Sequence, residues 1–314
     1  MKGSLPPGVY GYVIQSVARP QIYLAVVSIV VFGLSFVPLE LQRRIVNSAI
    51  QAEVFDQLVI LCLAYLGIVL LQGGTKFLMN VMRGRISENA IRDIRLRVRQ
   101  QIEDTKSDEE DSGKSVSLVA AEVEPLGGFI GESISSPLVQ IGSLITILGY
   151  LTWVEPLMAA AAVLLFLPQF FFVPPMQAAI NTRSKARIEA LREVGDVIVD
   201  SADSGKREAQ EQGEEFAGLI DRVFKQRMSI FRIKFAMKFL INLLNHLGTI
   251  GVLFIGGWLV IEGRTEVGTI VAFISGLQRI AEPGRMLVSF FRQLTEARVR
   301  YGLIRDFFAE GPSR

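Results

Sequence analysis

Apolar residues along this chain come in blocks rather than singly. Pro20–Leu39, Gln57–Thr75, Ser133–Val154, Pro156–Thr182 and Phe239–Ile261 carry no formal charge over 20, 19, 22, 27 and 23 residues, with His246 taken as neutral. A helix crossing the hydrocarbon core needs roughly 20 largely apolar residues, so each block predicts a membrane span. A soluble core does not use five such runs. A sixth span is shorter in its pattern. Val267 to Gln278 is uncharged, and the helix is expected to continue through Arg279, Glu282 and Arg285 to Phe290-Phe291. Charge decides the count. With six spans, 28 Lys and Arg residues fall on inner segments and 3 on outer ones. Positive residues favour the cytoplasmic side, so both termini are expected inside. The spans lie at about 20–39, 57–79, 130–154, 156–180, 236–261 and 267–291.

The segments between spans are unequal. The outer links after the third and fifth spans are only a few residues long. The inner segments, 80–128 and 181–235, are long and helical in pattern. Val81, Ile86, Ile91, Ile94, Val98 and Ile102 recur among Arg and Glu with one glycine and no proline between Asn80 and Glu103, the signature of an amphipathic helix. Such a helix would extend roughly 36 Å beyond the bilayer. Ile180–Asp200 and Glu211–Arg232 predict two more arms, with the chain turning back at Asp104–Gly113 and Ser201–Gln210. Residues 1–19 read as a cytoplasmic N-terminal segment and 309–314 as a tail. The fold class is therefore an all-α integral membrane protein with long cytoplasmic helical extensions. The first apolar block is too long for a signal-peptide core, so no cleaved leader is expected.

Composition narrows the function. Half of the 314 residues are hydrophobic, 20% are charged and the net charge is +2. Mean hydropathy is +0.38. No basic field is available for a general nucleic-acid binder. The single cysteine, Cys62, excludes an intramolecular disulfide framework and reads as a small buried hydrophobe among leucines. The single histidine, His246, excludes a histidine-cluster metal site. Gly113-Lys114-Ser115 imitates part of a phosphate-cradling loop, but Asp108 stands where the first glycine is required and no strand precedes it.

One stretch, Gly257-Trp258-Leu259-Val260-Ile261-Glu262-Gly263-Arg264-Thr265-Glu266-Val267-Gly268-Thr269-Ile270-Val271-Ala272-Phe273, resembles the turn between the fifth and sixth spans of the transmembrane domain of exporter-type ABC transporters. Pro283 with Leu287 resembles that family's proline in span six. Gly113–Glu122 resembles its glycine-led lead-in to span three. Phe77–Arg97 and Arg192–Glu215 look like its intracellular arms. The likeness runs over nearly the whole chain. It implies a six-helix domain that dimerises, as a homodimer or with a similar chain, and whose fourth and fifth spans cross to the partner. It also implies arm tips that dock on a nucleotide-binding ATPase subunit, on which ATP and Mg are expected. The chain itself is expected to bind no cofactor and to hydrolyse no ATP, because nothing like an ATP-binding signature follows span six and Arg314 falls where an ATPase domain would begin. The short outer turns fit a bacterial inner membrane. A scaffold or regulatory protein, or a truncated half-transporter, built on the same fold is the alternative. A secondary carrier would want a carboxylate deep in a span, and Glu132 and Glu282 lie nearer the inner ends.

Coupling to the ATPase is expected at Asp108, Glu109, Glu110, Asp111 and Gly113, and at Ser204, Gly205, Lys206 and Arg207. The first tip departs from the family in being acidic where aromatic residues are common. An acidic tip suits a basic groove. Polar side chains within spans are costly and usually face a cavity or a partner helix. Lys234, Lys238, Asn242, Asn245 and Thr249, with His246 beside them, fall on one face of the fifth span. Glu132, Ser136, Gln140, Ser143 and Tyr150 form a similar stripe on the third. Gln140, Ser143, Tyr150, Asn242, Asn245, His246, Thr249 and Gln278 are the candidates for a substrate cavity, against the alternative of helix–helix hydrogen bonds. Glu132, Arg279, Glu282 and Arg285 are the candidates for an inner gate, with Glu282 spaced to neutralise either arginine. Pro168, Pro174 and Pro175 predict a kinked, interrupted fourth span.

Overall fold

A computed structural model describes residues 6–50, 55–105, 109–203 and 209–309. Among them are nine α-helices, one π-helical segment and no strand. The helices are α1 (Val9–Ser16), α2 (Ala18–Gly33), α3 (Val37–Arg44), α4 (Phe55–Thr105), α5 (Glu109–Glu132), α6 (Ser135–Val154), α7 (Pro156–Asp203), α8 (Ala209–Ile261) and α9 (Val267–Ala309), and the π-helical segment is Ile45–Ile50. Five stretches are long and apolar enough to cross a membrane: Ala18–Ser48, Phe55–Gln101, Ala121–Val154, Pro156–Ile198 and Phe216–Ile261. α9 has the length but not the hydropathy, because Arg279 and Glu282 follow its apolar start.

Helices α4, α7 and α8 run unbroken for 51, 48 and 53 residues. At 1.5 Å per residue α4 is about 77 Å long, well over twice a hydrocarbon core. The apolar blocks and the amphipathic stretches beside them are thus single rods. α7 passes through Pro168, Pro174 and Pro175 as one helix, against the expected interruption. A proline removes one backbone donor, and membrane helices tolerate that where neighbours satisfy the freed carbonyl.

The chain divides into two compact units, Met1–Pro156 with Leu259–Arg314, and Leu157–Trp258. In the first, the main hydrophobic core is centred on the amphipathic part of α4. Ile86, Ala90, Ile91, Ile94 and Val98 are buried with Val123, Leu126 and Ile130 of α5, Tyr12 and Val13 of α1, and Phe290, Tyr301 and Ile304 of α9. Gly127 and Gly131 sit one turn apart at the α4–α5 contact. A Cβ on Gly131 would stand 2.6 Å from the Arg83 carbonyl oxygen, and one on Gly127 would overlap the Ile91 side chain. Only glycine allows this approach, a small-xxx-small packing. Ile86, Ile91, Ile94 and Val98 are the residues the periodicity selects, while Val81 is half-buried.

The N-terminal segment is not a free tail. α1 is seated by two tyrosines. Tyr12 donates its hydroxyl to Asp93 Oδ2 of α4 at 2.8 Å, and Tyr301 of α9 donates to the Pro6 carbonyl at 2.8 Å. Burial pushes the Tyr301 phenol up to about 12. Burial, with Asp93 as hydrogen-bond partner, raises that of Tyr12 as well. Both therefore remain protonated donors at neutral pH.

In the second unit, α7 and α8 meet through Phe166 beside Gly248, Gln169 to Asn245 and Glu193 with Arg222 at 3.0 Å. The buried hydrophobic residues described there are Met158, Ala159, Ala162, Ala190, Val194, Leu219 and Val252.

Candidate functional site

The polar face of the fifth span divides once the helix is built. Lys234, Lys238, Asn242 and His246 recur every four residues on α8 and are all exposed. Asn245 instead turns to α7, where its Oδ1 accepts from Gln169 Nε2 at 3.3 Å. Thr249 returns its hydroxyl to the Asn245 carbonyl at 3.1 Å. Two of the expected cavity residues are thus engaged in helix–helix and within-helix bonds, and two present an open polar stripe.

The third-span stripe does not survive as one face. It assumes a continuous helix, and the chain turns at Ser133-Ile134 between α5 and α6. Glu132 therefore belongs to α5, and Ser136, Gln140, Ser143 and Tyr150 to α6. A break frees backbone carbonyls that must find partners. The Ile130 carbonyl accepts from Gln21 Nε2 of α2 at 2.8 Å and from the Ser133 hydroxyl at 2.9 Å. Arg83 of α4 donates Nε to the Ser135 hydroxyl at 2.7 Å. The Arg83 Nη2 has no hydrogen-bond partner. This joint is a polar node of α2, α4, α5 and α6.

Gln140 and Ser143 are half-buried on α6. Tyr150 is 7% exposed, and its hydroxyl donates to Glu40 Oε2 at 2.8 Å. Glu40 also accepts from Arg43 at 2.9 Å and Arg44 at 2.6 Å. Tyr150 is packed at the α3 end of the unit, with its ring 5.5 Å from Phe36. Nearby, Asn47 holds the start of α9. Its Oδ1 accepts from the Gly268 amide at 2.6 Å and its Nδ2 donates to Glu266. α8 ends in a Schellman turn. Arg264 N–H bonds the Leu259 carbonyl and Gly263 N–H the Val260 carbonyl, at 2.9 and 3.0 Å. Gly263 takes φ +71° there, a conformation other L-residues resist.

On α9, Gln278, Glu282 and Arg285 are exposed and Arg279 is half-buried. Among the described residues, no ion pair joins Glu282 to either arginine. The expected neutralisation is not made, since exposed i,i+3 and i,i+4 partners gain only about 0.2–0.5 kcal/mol from pairing. Glu109, Glu110, Asp111 and Gly113 fall on the first turns of α5. Asp108, Ser204, Gly205, Lys206 and Arg207 lie outside the described residues. Cys62 is exposed on α4 rather than buried, as a residue facing lipid would be. Among the described residues no group of three or more His, Cys, Asp and Glu is placed to hold a metal ion.

These long helices, apolar on exposed faces, define an integral, multi-pass membrane protein. The chain matches the ABC transporter transmembrane region over residues 22–280 and belongs to that family. No curated protein matches it.

The residues that sequence reasoning missed are those that hold the first unit together. Gly127 and Gly131 carry a readable small-xxx-small signal. Gln21 was legible only as one amide in an uncharged run. Tyr12, Tyr301 and Asn47 carry no local signal, because their partners lie 81, 295 and 221 positions away.

Proposed function

We propose that this chain is the permease subunit of an ABC exporter and works as a dimer with a separate nucleotide-binding ATPase. It has six spans, with α9 as the sixth and both termini cytoplasmic. Membership of the ABC transmembrane family supports this reading most strongly. The continuity of α4, α7 and α8 gives it a mechanism. A rod that is at once span and arm carries a displacement at its tip into the bilayer without a joint to absorb it. The acidic tip at Asp108–Asp111 and the tip around Ser204–Arg207 are where the ATPase docks, and ATP with Mg acts there and not on this chain. The separate unit Leu157–Trp258 is the pair of helices that crosses to the partner chain.

In this reading the open stripe of Asn242 and His246, extended inward by Lys238 and Lys234, faces a cavity completed by the second chain. Arg279, Glu282 and Arg285 lie at the inner end of the sixth span. Asn245 and Thr249 hold the helices, and Tyr150 fixes the outer end. Alternating access then moves an amphipathic compound, a peptide or a lipid across a bacterial cytoplasmic membrane.

Capture of the detergent-solubilised chain from its native membrane tests the reading. Recovery of a stoichiometric ATPase subunit is the expected result. Recovery of the chain alone, or with a partner that has no nucleotide-binding domain, would favour a scaffold or a truncated half-transporter and end the transport claim.

A further inference from the structure

We infer a site for the phosphate headgroup of an anionic phospholipid, in the seam between α7 and α8 where their apolar blocks give way to the arms. The inference concerns binding by this chain and does not depend on the transport reading.

The seam is closed at both ends and open between them. Gln169 meets Asn245 at one end, and Glu193 meets Arg222 at the other. Between Ala162 and Ala190 on α7, and between Leu219 and Gly248 on α8, no described residue is buried. Arg183, Arg187, Ala190 and Val194 recur at steps of four, three and four, which is one face of α7. Ala190 and Val194 are buried, so the two arginines carry the packed stripe of α7 into the open section. Both are half-buried. Counted back along the antiparallel pair from Glu193 and Arg222, Arg187 comes level with Arg227 and Met228 of α8.

The positive charge there has no counter-charge in the unit. Residues 157–188 of α7 and 222–258 of α8 contain no Asp or Glu. Of the nearest carboxylates, Glu193 is engaged by Arg222 and Asp221 by Lys225. Glu189 lies two positions beyond Arg187 and so on the other side of the helix. Among the described residues no hydrogen bond or ion pair holds Arg183 or Arg187, and the Arg187 Nε is buried without a partner. A desolvated guanidinium donor costs free energy that an arriving anion recovers. Arg227, over the Phe231 ring at 5.5 Å, adds a third cation. The arm of α4 differs, since Arg97 there pairs with Asp93 and Arg95 with Glu124. Depth selects the anion. The uncharged run of α7 ends at Thr182, next to Arg183, and exposed Phe235 and Phe239 of α8 lie on the membrane side. Basic clefts between membrane helices at this level bind acidic lipid headgroups, and the guanidinium fork matches phosphate oxygens. The site takes no residue from the Lys234–His246 stripe.

The test is native mass spectrometry of the full chain in a neutral detergent, titrated with dioleoylphosphatidylglycerol, dioleoylphosphatidylcholine or sn-glycerol 1-phosphate. Saturable binding of phosphatidylglycerol is expected, tighter than that of phosphatidylcholine, with no binding of the free headgroup. The double variant Arg183→Gln with Arg187→Gln should weaken phosphatidylglycerol about thirtyfold, or about fivefold for each cation at an anionic headgroup. Arg85→Gln with Arg92→Gln, an equal loss of charge at exposed positions of α4, should leave it unchanged. Equal affinity for the two lipids, full affinity in the α7 double variant, or an equal loss in the α4 double variant would each overturn the assignment. Binding of sn-glycerol 1-phosphate as tight as that of the lipid would replace the lipid by a free phosphate ester. Loss of a dimer mass in the α7 double variant, with lipid binding intact, would give the arginines to a second copy of the chain instead. If that variant does not elute as a monodisperse species, Arg183→Gln and Arg187→Gln are titrated singly. A loss of affinity in either then supports the site, and full affinity in both overturns it.

Discussion

The two units of this chain use hydrophobicity in opposite ways. In the first, the packed interior forms where the sequence is amphipathic, around Ile86–Val98 of α4 and Val123–Ile130 of α5. The most apolar window of α4 has no buried residue. In the second, the apolar faces of α7 and α8 stay largely exposed. Leu164, Phe171, Phe239, Ile250 and Phe254 are among the exposed large residues. The difference follows from the solvent. Lipid tails accept apolar side chains as readily as a protein core does, so an apolar run in a membrane has no need of partners. An amphipathic run in water must bury its stripe. The first unit therefore packs its amphipathic stretches together, with Leu24, Val31, Val139, Ile147 and Leu151 of its apolar blocks also buried, while the second unit has few, specific contacts.

The sharpest way to break this contrast is at the glycines. Gly127→Leu or Gly131→Leu should cost about 3 kcal/mol by forcing α4 and α5 apart. Loss of monodisperse protein in detergent would show it. Gly248→Ala in the second unit should cost under 1 kcal/mol. Its Cβ would meet only the edge of the Phe166 ring, at 2.9 Å, and that ring can turn. Equal losses at both sites would erase the distinction. Next in size, Tyr12→Phe and Tyr301→Phe should each cost about 1 kcal/mol, the net worth of one hydrogen bond. Faster proteolysis ahead of α2 is the measurement. Asn47→Ala should cost about 1 kcal/mol through the lost cap of α9, read as a lowered Tm. Asn245→Leu should cost about 0.6 kcal/mol, typical of interhelical bonds in bilayers. Asn242→Leu, on the open stripe, should leave Tm unchanged while altering transport. Normal transport in that variant would remove the stripe from the cavity.

Much of the architecture could be read from sequence because both signals involved are local. Uncharged blocks mark where α2, α4, α6, α7 and α8 meet the membrane. The period of Ile86, Ile91, Ile94 and Val98 marks the buried arm face. The polar stripes were less legible. Residues three and four apart share a face only while the helix continues, and neither Ser133 nor Ile134 announces a break. The joint depends on Gln21 and Arg83 reaching in from other helices, which periodicity does not encode. Likewise Asn245 and Asn242 look alike along α8, and only the position of Gln169 on α7 separates them. The prolines of α7 mislead for the converse reason, since a lost backbone bond does not itself end a helix.

The seating of α1 sets a schedule for biosynthesis. Tyr301 follows Pro6 by 295 positions, and at about 5–20 residues per second it leaves the ribosome on the order of 15–60 seconds later. Through that interval the apolar side of α1, Val9, Tyr12 and Val13, has no complete receptor. The nascent segment must wait at the membrane surface or in the keeping of a chaperone while the helices that follow are threaded into the bilayer. Closing the first unit is then a late event, and a ribosome stalled before α9 would leave behind a chain whose membrane helices are inserted and whose core is still open.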